Sequence, residues 1–355
     1  MTAITGQRRG SRWRETLRRV RRNGFTPGEY RLVCWAALLL LGFIVVTGAA
    51  VRLTGSGLGC DEWPECNGTK IVDVSSVHSA IEQVNRLITF LVAAGVVLAA
   101  LGAWWRRPRR RDLLWLSAGM VVGVPAQAVL GAFVVWTELH PAAVQMHFVL
   151  SMVLIAFAVL LLVRSGQPDD GRRIMSVAPR TRGRVRVVAV WTALAILMGT
   201  VVTGTGPHAG SFPEDPSDPV PRRFFGSVDD INGTALRWVT RLHSAVVWIA
   251  VASMLWLLWL LRSRPKERAV LDAPIAAWLG VAVAQGGIRY LQYFSGLPAA
   301  LVGAHVAMAT ALWAVTVWLV ASTTRISQSA RSRVEDHLDD VIESRRARRL
   351  SRRAT

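Results

Sequence analysis

The chain alternates long apolar runs with short polar gaps. Eight runs, at residues 32–52, 80–105, 113–136, 141–163, 186–206, 236–261, 270–291 and 298–321, are mostly apolar, and about 20 such residues suffice for a helix to cross a membrane. The pattern predicts an all-α, polytopic membrane protein with eight transmembrane helices. The first run follows a basic leader, but it is longer than a signal-peptide core and lacks a clear small-residue cleavage site. It reads as a retained helix.

The gaps alternate in charge. Arginines crowd the N-terminus (Arg8, Arg9, Arg12, Arg14, Arg18, Arg19, Arg21, Arg22), then 106–111, 164–186 and 262–268, then the C-terminus (Arg345, Arg346, Arg348, Arg349, Arg352, Arg353). The intervening gaps are acidic or neutral: Asp61, Glu62 and Glu65; then Glu138; then Glu214, Asp215, Asp218, Asp229 and Asp230. Basic loops stay in the cytoplasm, so eight crossings with both termini cytoplasmic fit every gap. The expected location is the cell membrane, and lipid is the constant partner. The third outer gap, about 207–235, is long, acidic and rich in Pro and Gly, and is expected to cover the outer end of the second half.

A weak internal repeat divides the chain. Val45-Val46-Thr47-Gly48 recurs as Val201-Val202-Thr203-Gly204, Val84-Asn85-Arg86-Leu87 resembles Val239-Thr240-Arg241-Leu242, Ala126-Gln127 recurs as Ala284-Gln285, and His147 recurs as His305. The offsets stay between 155 and 158 residues. Four crossings return the chain to its starting side, so two tandem four-helix units are parallel repeats. The expected organisation is a basic tail at 1–31, a four-helix bundle at 32–163, a linker at 164–185, a second pseudo-symmetric four-helix bundle at 186–321 and a basic tail at 322–355.

Composition changes this picture little. The 355 residues are 52% hydrophobic with a formal net charge of +19. In a soluble protein that charge would suggest nucleic acid. Here the arginines sit between membrane spans, topology explains them, and nucleic acid is excluded as a partner. The 15 tryptophans are read partly as an interfacial belt (Trp104, Trp105, Trp136, Trp238).

Candidate chemistry lies inside the spans. Asn85, His147, His243 and His305 each fall six to eight residues into an apolar run, counted from the same membrane side, about 10 Å deep at about 1.5 Å per residue. Polar groups at that depth need partners, and bundles place cofactors between facing helices. His243 and His305, on spans six and eight, form the best pair, since two neutral imidazoles suit a haem iron. The plain alternative is two unrelated histidines bonded to their neighbours. His147 lacks so clear a partner. Span two offers His78, Glu82 and Asn85 on one helical face, with His78 also readable as a solvated interfacial residue. His140 and His208 lie in outer loops and are read as solvated.

Glu82 is the strongest catalytic candidate, because buried acids serve as proton donors or acceptors. A salt bridge to Arg86, four residues on, is the compatible plain reading. Arg52, Arg86, Arg241 and Arg289 lie near outer span ends and could pair with haem propionates through two parallel hydrogen bonds or snorkel to headgroups. Cys34 reads as a buried small hydrophobe. Cys60 and Cys66 share the first outer loop, on the side where a disulfide persists, either as a structural staple or as a redox-active pair. Two cysteines argue against zinc.

Several stretches together identify a resemblance: VVTGAAVRLTGSGLGCDEWPEC, IEQVNRL, QAVLGAFVV followed by His147, VVTGTGPHAG, RLHS and QGGIRYLQYFSGLPAALVGAH. In order, and across all eight spans, they resemble the haem A synthase family, most closely its actinobacterial branch. The resemblance implies oxidation of the C8 methyl group of haem O to the formyl group of haem A for terminal oxidases. It implies a haem b cofactor held by His243 and His305 in the C-terminal half, and haem O as substrate in the N-terminal half near Glu82 and His147. Cys60 and Cys66 match the family's outer-loop cysteines. The position matching Asn85 is usually histidine in the family, which points to a substrate haem held by His147 with Asn85 or His78 nearby. The expected partners are haem O, the haem O synthase that supplies it and an unidentified electron acceptor, and a homo-oligomer is left open. Two rivals stand beside this reading: a bis-histidine cytochrome b electron carrier without haem-modifying activity, and a transporter using the histidines and Glu82 as a proton relay.

Overall fold

The structure is a computed structural model that describes residues 24–327 except 61, 67, 69, 207–223 and 226–232. Residues 1–23 and 328–355 of the arginine-rich tails, His208 and most of the acidic third outer gap lie outside the described residues, as do the expectations placed on them. The chain forms α1 (Pro27–Leu53), α2 (Val77–Trp105), α3 (Arg111–Trp136), α4 (Pro141–Ser165), β1 (Arg172–Met175), α5 (Pro179–Thr205), α6 (Thr234–Leu261), α7 (Pro265–Phe294), α8 (Ala299–Ser322) and β2 (Thr324–Ser327). All eight helices are long and apolar enough to cross a membrane.

Local chemistry sets the helix starts. Before α1, Glu29 N–H donates to Thr26 Oγ1 at 3.3 Å and Thr26 N–H donates to Glu29 Oε2 at 3.0 Å, a reciprocal cap for two free amides. Ser76 and Ser79 do the same for α2. Prolines open α1, α4, α5 and α7, where the missing N–H costs nothing. α5 starts seven residues before its apolar run because hydropathy marks the lipid slab and not the helix. Arg180, Arg182, Arg184 and Arg186 ride on its first turns, and Arg184 lies 5.2 Å from the ring centre of Trp256.

Each half is a ring of four helices. In the first, α1 packs on α2, α2 on α3, α3 on α4 and α4 back on α1. In the second, α5 packs on α6 and α8, α7 packs on α8, and α6 meets α7 only lightly. Hence α2 stands diagonally across from α4, and α6 from α8. The halves join through α8, which packs on α1 and α4, and through the α4–α5 contact. Trp313 on α8 donates to the Met152 carbonyl on α4 at 2.8 Å. Gln145 Nε2 donates to Thr200 Oγ1 at 2.7 Å.

The two apolar cores share one end of the molecule. The first gathers Tyr30, Cys34, Val96, Leu113, Met120 and Leu161. The second gathers Val188, Met254, Leu257, Leu271, Trp278 and Leu319. All of these lie in the arginine-rich halves of their helices. The candidate polar residues lie in the opposite halves, toward the Cys60–Cys66 loop. Cys34 is free and buried.

One element is absent from the hydropathy pattern. β1 pairs antiparallel with β2, Arg172 opposite Ser327 and Met175 opposite Thr324, which ties the α4–α5 linker to the end of α8. The strand Arg172–Met175 is exposed along its length, so it lacks the apolar alternation that marks a strand. An ion-pair network anchors the same region. Arg106 Nη2 lies 2.6 Å from Asp169 Oδ1, and Arg110 Nη2 2.9 Å from Asp112 Oδ2. Arg110 also donates to the carbonyls of Arg164, Gln167 and Pro168 at 3.0–3.2 Å.

Candidate functional site

In the first half the site is built on α2 and the loop above it. Glu82 is 6% exposed. Its Oε2 accepts the backbone N–H of Cys60 at 2.9 Å, and its Oε1 accepts Arg86 Nη2 at 2.8 Å and Nε at 3.1 Å. Arg86 also donates to the carbonyls of Glu65 at 3.0 Å and Glu62 at 3.1 Å. Cys60 and Cys66 are disulfide-bonded, and both are buried. The Glu82–Arg86 pair therefore grips the disulfide loop from below. Arg86, a candidate for an anionic partner, spends its guanidinium on this grip. At Gly59 an added Cβ would run into the backbone of His78, so the loop rests directly on the first turn of α2.

Asn85 is half-buried, and its Oδ1 accepts the Thr47 hydroxyl of α1 at 2.8 Å. His78 sits at the exposed start of α2, its Nδ1 3.0 Å from Ser56 Oγ. It belongs to the loop contact more than to the depth shared by the other four residues. His147 lies diagonally opposite on α4. Its ring meets α3 where Gly131 leaves space, since a Cβ there would lie 3.6 Å from Cε1. His140 caps α4 by accepting the Ala142 N–H at 3.3 Å. Arg52 occupies the last turn of α1, where a cation meets the negative end of the helix dipole.

In the second half, His243 on α6 packs against α5 at Gly199, where a Cβ would stand 3.3 Å from the ring. His305 faces it from the diagonal helix α8. His243 and Arg289 both lie close enough to His305 to act on it electrostatically, and Arg289 acts on His243 as well. The structure thus gathers His243, His305 and Arg289 into one locality. Arg241 turns outward, its guanidinium 5.3 Å from the ring centre of Trp238. The Nδ1 atoms of His147, His243 and His305 are all buried without a hydrogen-bond partner. Such groups are exceptions in folded proteins. Among the described residues, no three His, Cys, Asp or Glu side chains converge on a point. What the histidines offer is a pair across the second ring and a single imidazole in the first.

Four residues have roles here that sequence reasoning did not assign: Thr47, Gly199, Gln127 and Gln285. Gln127 Nε2 donates to the His147 carbonyl at 3.2 Å, and Gln285 Nε2 to the His305 carbonyl at 3.1 Å. The signal was the recurring Ala-Gln pair. The recurring Thr-Gly pairs brought Thr47 into the repeat, but its partner was invisible.

Eight membrane-length helices in two rings, with half-buried histidines toward one end of the rings, define a multi-pass membrane protein. The cytochrome oxidase assembly protein family, COX15-CtaA, has a model that matches residues 31–317, and the chain belongs to that family. It is 27% identical over 314 residues to a protein of Listeria welshimeri called Heme A synthase, covering 86% of this chain and 99% of that one. It is 28% identical over 314 residues to the Listeria monocytogenes protein of the same name, with the same coverage. A third Heme A synthase, from Bacillus cereus, is 25% identical over 310 residues, covering 85% of this chain and 96% of that one.

Proposed function

We propose that this chain is a haem A synthase, an oxidoreductase that converts the C8 methyl group of haem O to a formyl group. The observation that carries the proposal is the gathering of His243, His305 and Arg289 in one helix ring, in a chain that aligns nearly end to end with relatives of that name. The arginine-rich side, with both termini, faces the cytoplasm.

A haem b fits the second half. The donors are two imidazoles on diagonal helices with buried, unpartnered Nδ1 atoms, and the light α6–α7 contact leaves that ring less tightly closed than the first. His243 and His305 would ligate it, with Arg289 near its anionic edge. Bound there, haem b would supply one-electron transfer, while a closed pair of imidazole ligands leaves no position for a reactant.

The first half takes the substrate. His147 holds the haem O iron, and Asn85, tied to Thr47, offers its amide NH2 nearby. A single imidazole holds the substrate more weakly than a pair, which suits a product that must leave for an oxidase. Glu82 carries protons as the methyl carbon is hydroxylated, twice in sequence, before loss of water gives the aldehyde. Arg86 keeps the Glu82 carboxylate oriented, and the disulfide loop covers that end of the ring. With water as the oxygen donor, each hydroxylation releases two protons and two electrons, and the four electrons pass to an acceptor outside this chain.

The test is pigment extraction from cells that make both haem O and this protein. Haem A is the expected product. Accumulation of haem O alone, with haem still bound to the protein, would leave only an electron-carrying cytochrome b. A purified protein with no Soret absorption would favour the transporter.

A further inference from the structure

Each half contains the same unexplained arrangement. In the first, Gln127 on α3 donates through Nε2 to the backbone carbonyl of His147 and to Ser151 Oγ at 2.6 Å. In the second, Gln285 on α7 donates through Nε2 to the backbone carbonyl of His305. Both carbonyls lie inside helices and already accept the bond of their own ladder, so neither needs the amide. The other end of each glutamine is the anomaly. The Oε1 atoms of Gln127 and Gln285 are buried with no partner, and so are the Nδ1 atoms of His147 and His305. Four unsatisfied atoms fall on two glutamine–histidine pairs, at equivalent places of an internal repeat.

The two orphans of each pair are chemically complementary. An amide oxygen only accepts, whereas an imidazole nitrogen donates when it carries the ring proton. A histidine that gives the Nε2 lone pair to a metal carries its proton on Nδ1, and that N–H is normally held by an acceptor in the outer shell. We propose that Gln127 and Gln285 are positioning residues for His147 and His305. Each locks the backbone of its histidine with the amide N–H and supplies the amide oxygen as acceptor for Nδ1–H when Nε2 binds iron. This fixes the tautomer, orients the ring and makes the imidazole a stronger electron donor. Among the described residues no such glutamine braces His243, whose ring instead meets the Ala195 carbonyl of α5.

This inference rests on the assignment of His243 and His305 as haem ligands, and its test reads the haem rather than turnover. Gln285→Met and Gln285→Glu are compared with the unsubstituted protein in a redox titration of the bound haem. Both substitutions remove the N–H that braces the His305 carbonyl, but only Glu keeps an acceptor at the Oε1 position. Met should raise the midpoint potential, because a less electron-rich imidazole favours the reduced iron, and Glu should hold it at or below that of the unsubstituted protein. Equal shifts in the same direction would reduce the role of Gln285 to bracing the backbone and overturn the proposal, as would no shift in either variant. If the Met variant loses its haem, the Glu variant decides alone: a raised potential overturns the proposal, and an unchanged or lowered one supports it. Absence of haem from the unsubstituted protein is a separate result that removes the ligand assignment and this inference with it.

Discussion

Thr47 on α1 donates its hydroxyl to Asn85 Oδ1 on α2 at 2.8 Å, and this bond fixes a polar side chain of α2 at the depth of the histidines. Interhelical hydrogen bonds in membranes contribute about 0.6 kcal/mol on average and up to about 1.7. Thr47→Val should therefore lower thermal stability only slightly. Asn85→His should place an imidazole opposite His147 and increase the haem retained per chain after detergent purification, measured as the pyridine haemochrome. Unchanged retention would place Asn85 away from the substrate.

His305→Ala should abolish the stable low-spin haem spectrum, whereas His78→Ala, at an exposed position bonded to Ser56, should leave it intact. A reduced-minus-oxidised visible spectrum of each purified variant separates the two. A full spectrum without His305 would contradict its role as a ligand.

Glu82→Ala should stop haem A formation while leaving the C-terminal haem in place. It also deprives the Cys60 N–H and Arg86 of their acceptor, so the disulfide should react faster with a membrane-impermeant reductant than it does in the unsubstituted protein. Glu82→Gln keeps an acceptor for Cys60 and should restore disulfide protection more than activity. If both variants turn over normally, Glu82 is a clamp and nothing more.

Gly59→Ala should destabilise the outer loop, because its Cβ would meet the His78 backbone, which cannot swing aside as a side chain can. Overpacking of this kind costs about 1–3 kcal/mol. The expected readout is a lower melting temperature together with slower disulfide formation, whereas Gly68→Ala, where a Cβ meets nothing within 4 Å, tests the cost of its positive φ alone.

Asp169→Ala should be strongly destabilising on the arginine-rich side. The Arg106 side chain is 1% exposed and paired with Asp169 at 2.6 Å, and removing one partner of a buried pair costs about 3–5 kcal/mol. Asp169→Asn, which keeps an oxygen acceptor, should recover part of this. Denaturation followed by the fluorescence of the tryptophans measures both.

The spans were legible because lipid imposes a one-dimensional rule: about 20 apolar residues in a row, with arginines on one side. The depth of Asn85, His147, His243 and His305 followed by counting along each run, and the Ala-Gln and Thr-Gly echoes revealed the repeat. The β1–β2 ribbon was not legible, since four exposed residues pairing across a gap of about 150 leave no periodic trace. The grip of Arg86 on the carbonyls of Glu62 and Glu65 was also hidden. Its i, i+4 spacing announced Glu82, but backbone acceptors have no letter in a sequence.

The sequence alone determined how many times the chain crosses, which gaps share a side and how deep each polar residue lies, because these depend on hydropathy and count along a single line. Only the tertiary structure decided which helices stand diagonally, that the apolar cores fill the arginine-rich end and leave the polar residues at the other, and that Gln127 and Gln285 reach the carbonyls of His147 and His305. Those relations depend on the rotation of each helix about its own axis, and in a helix surrounded by lipid the apolar pattern is nearly uniform on every face, so packing against neighbours is what sets it.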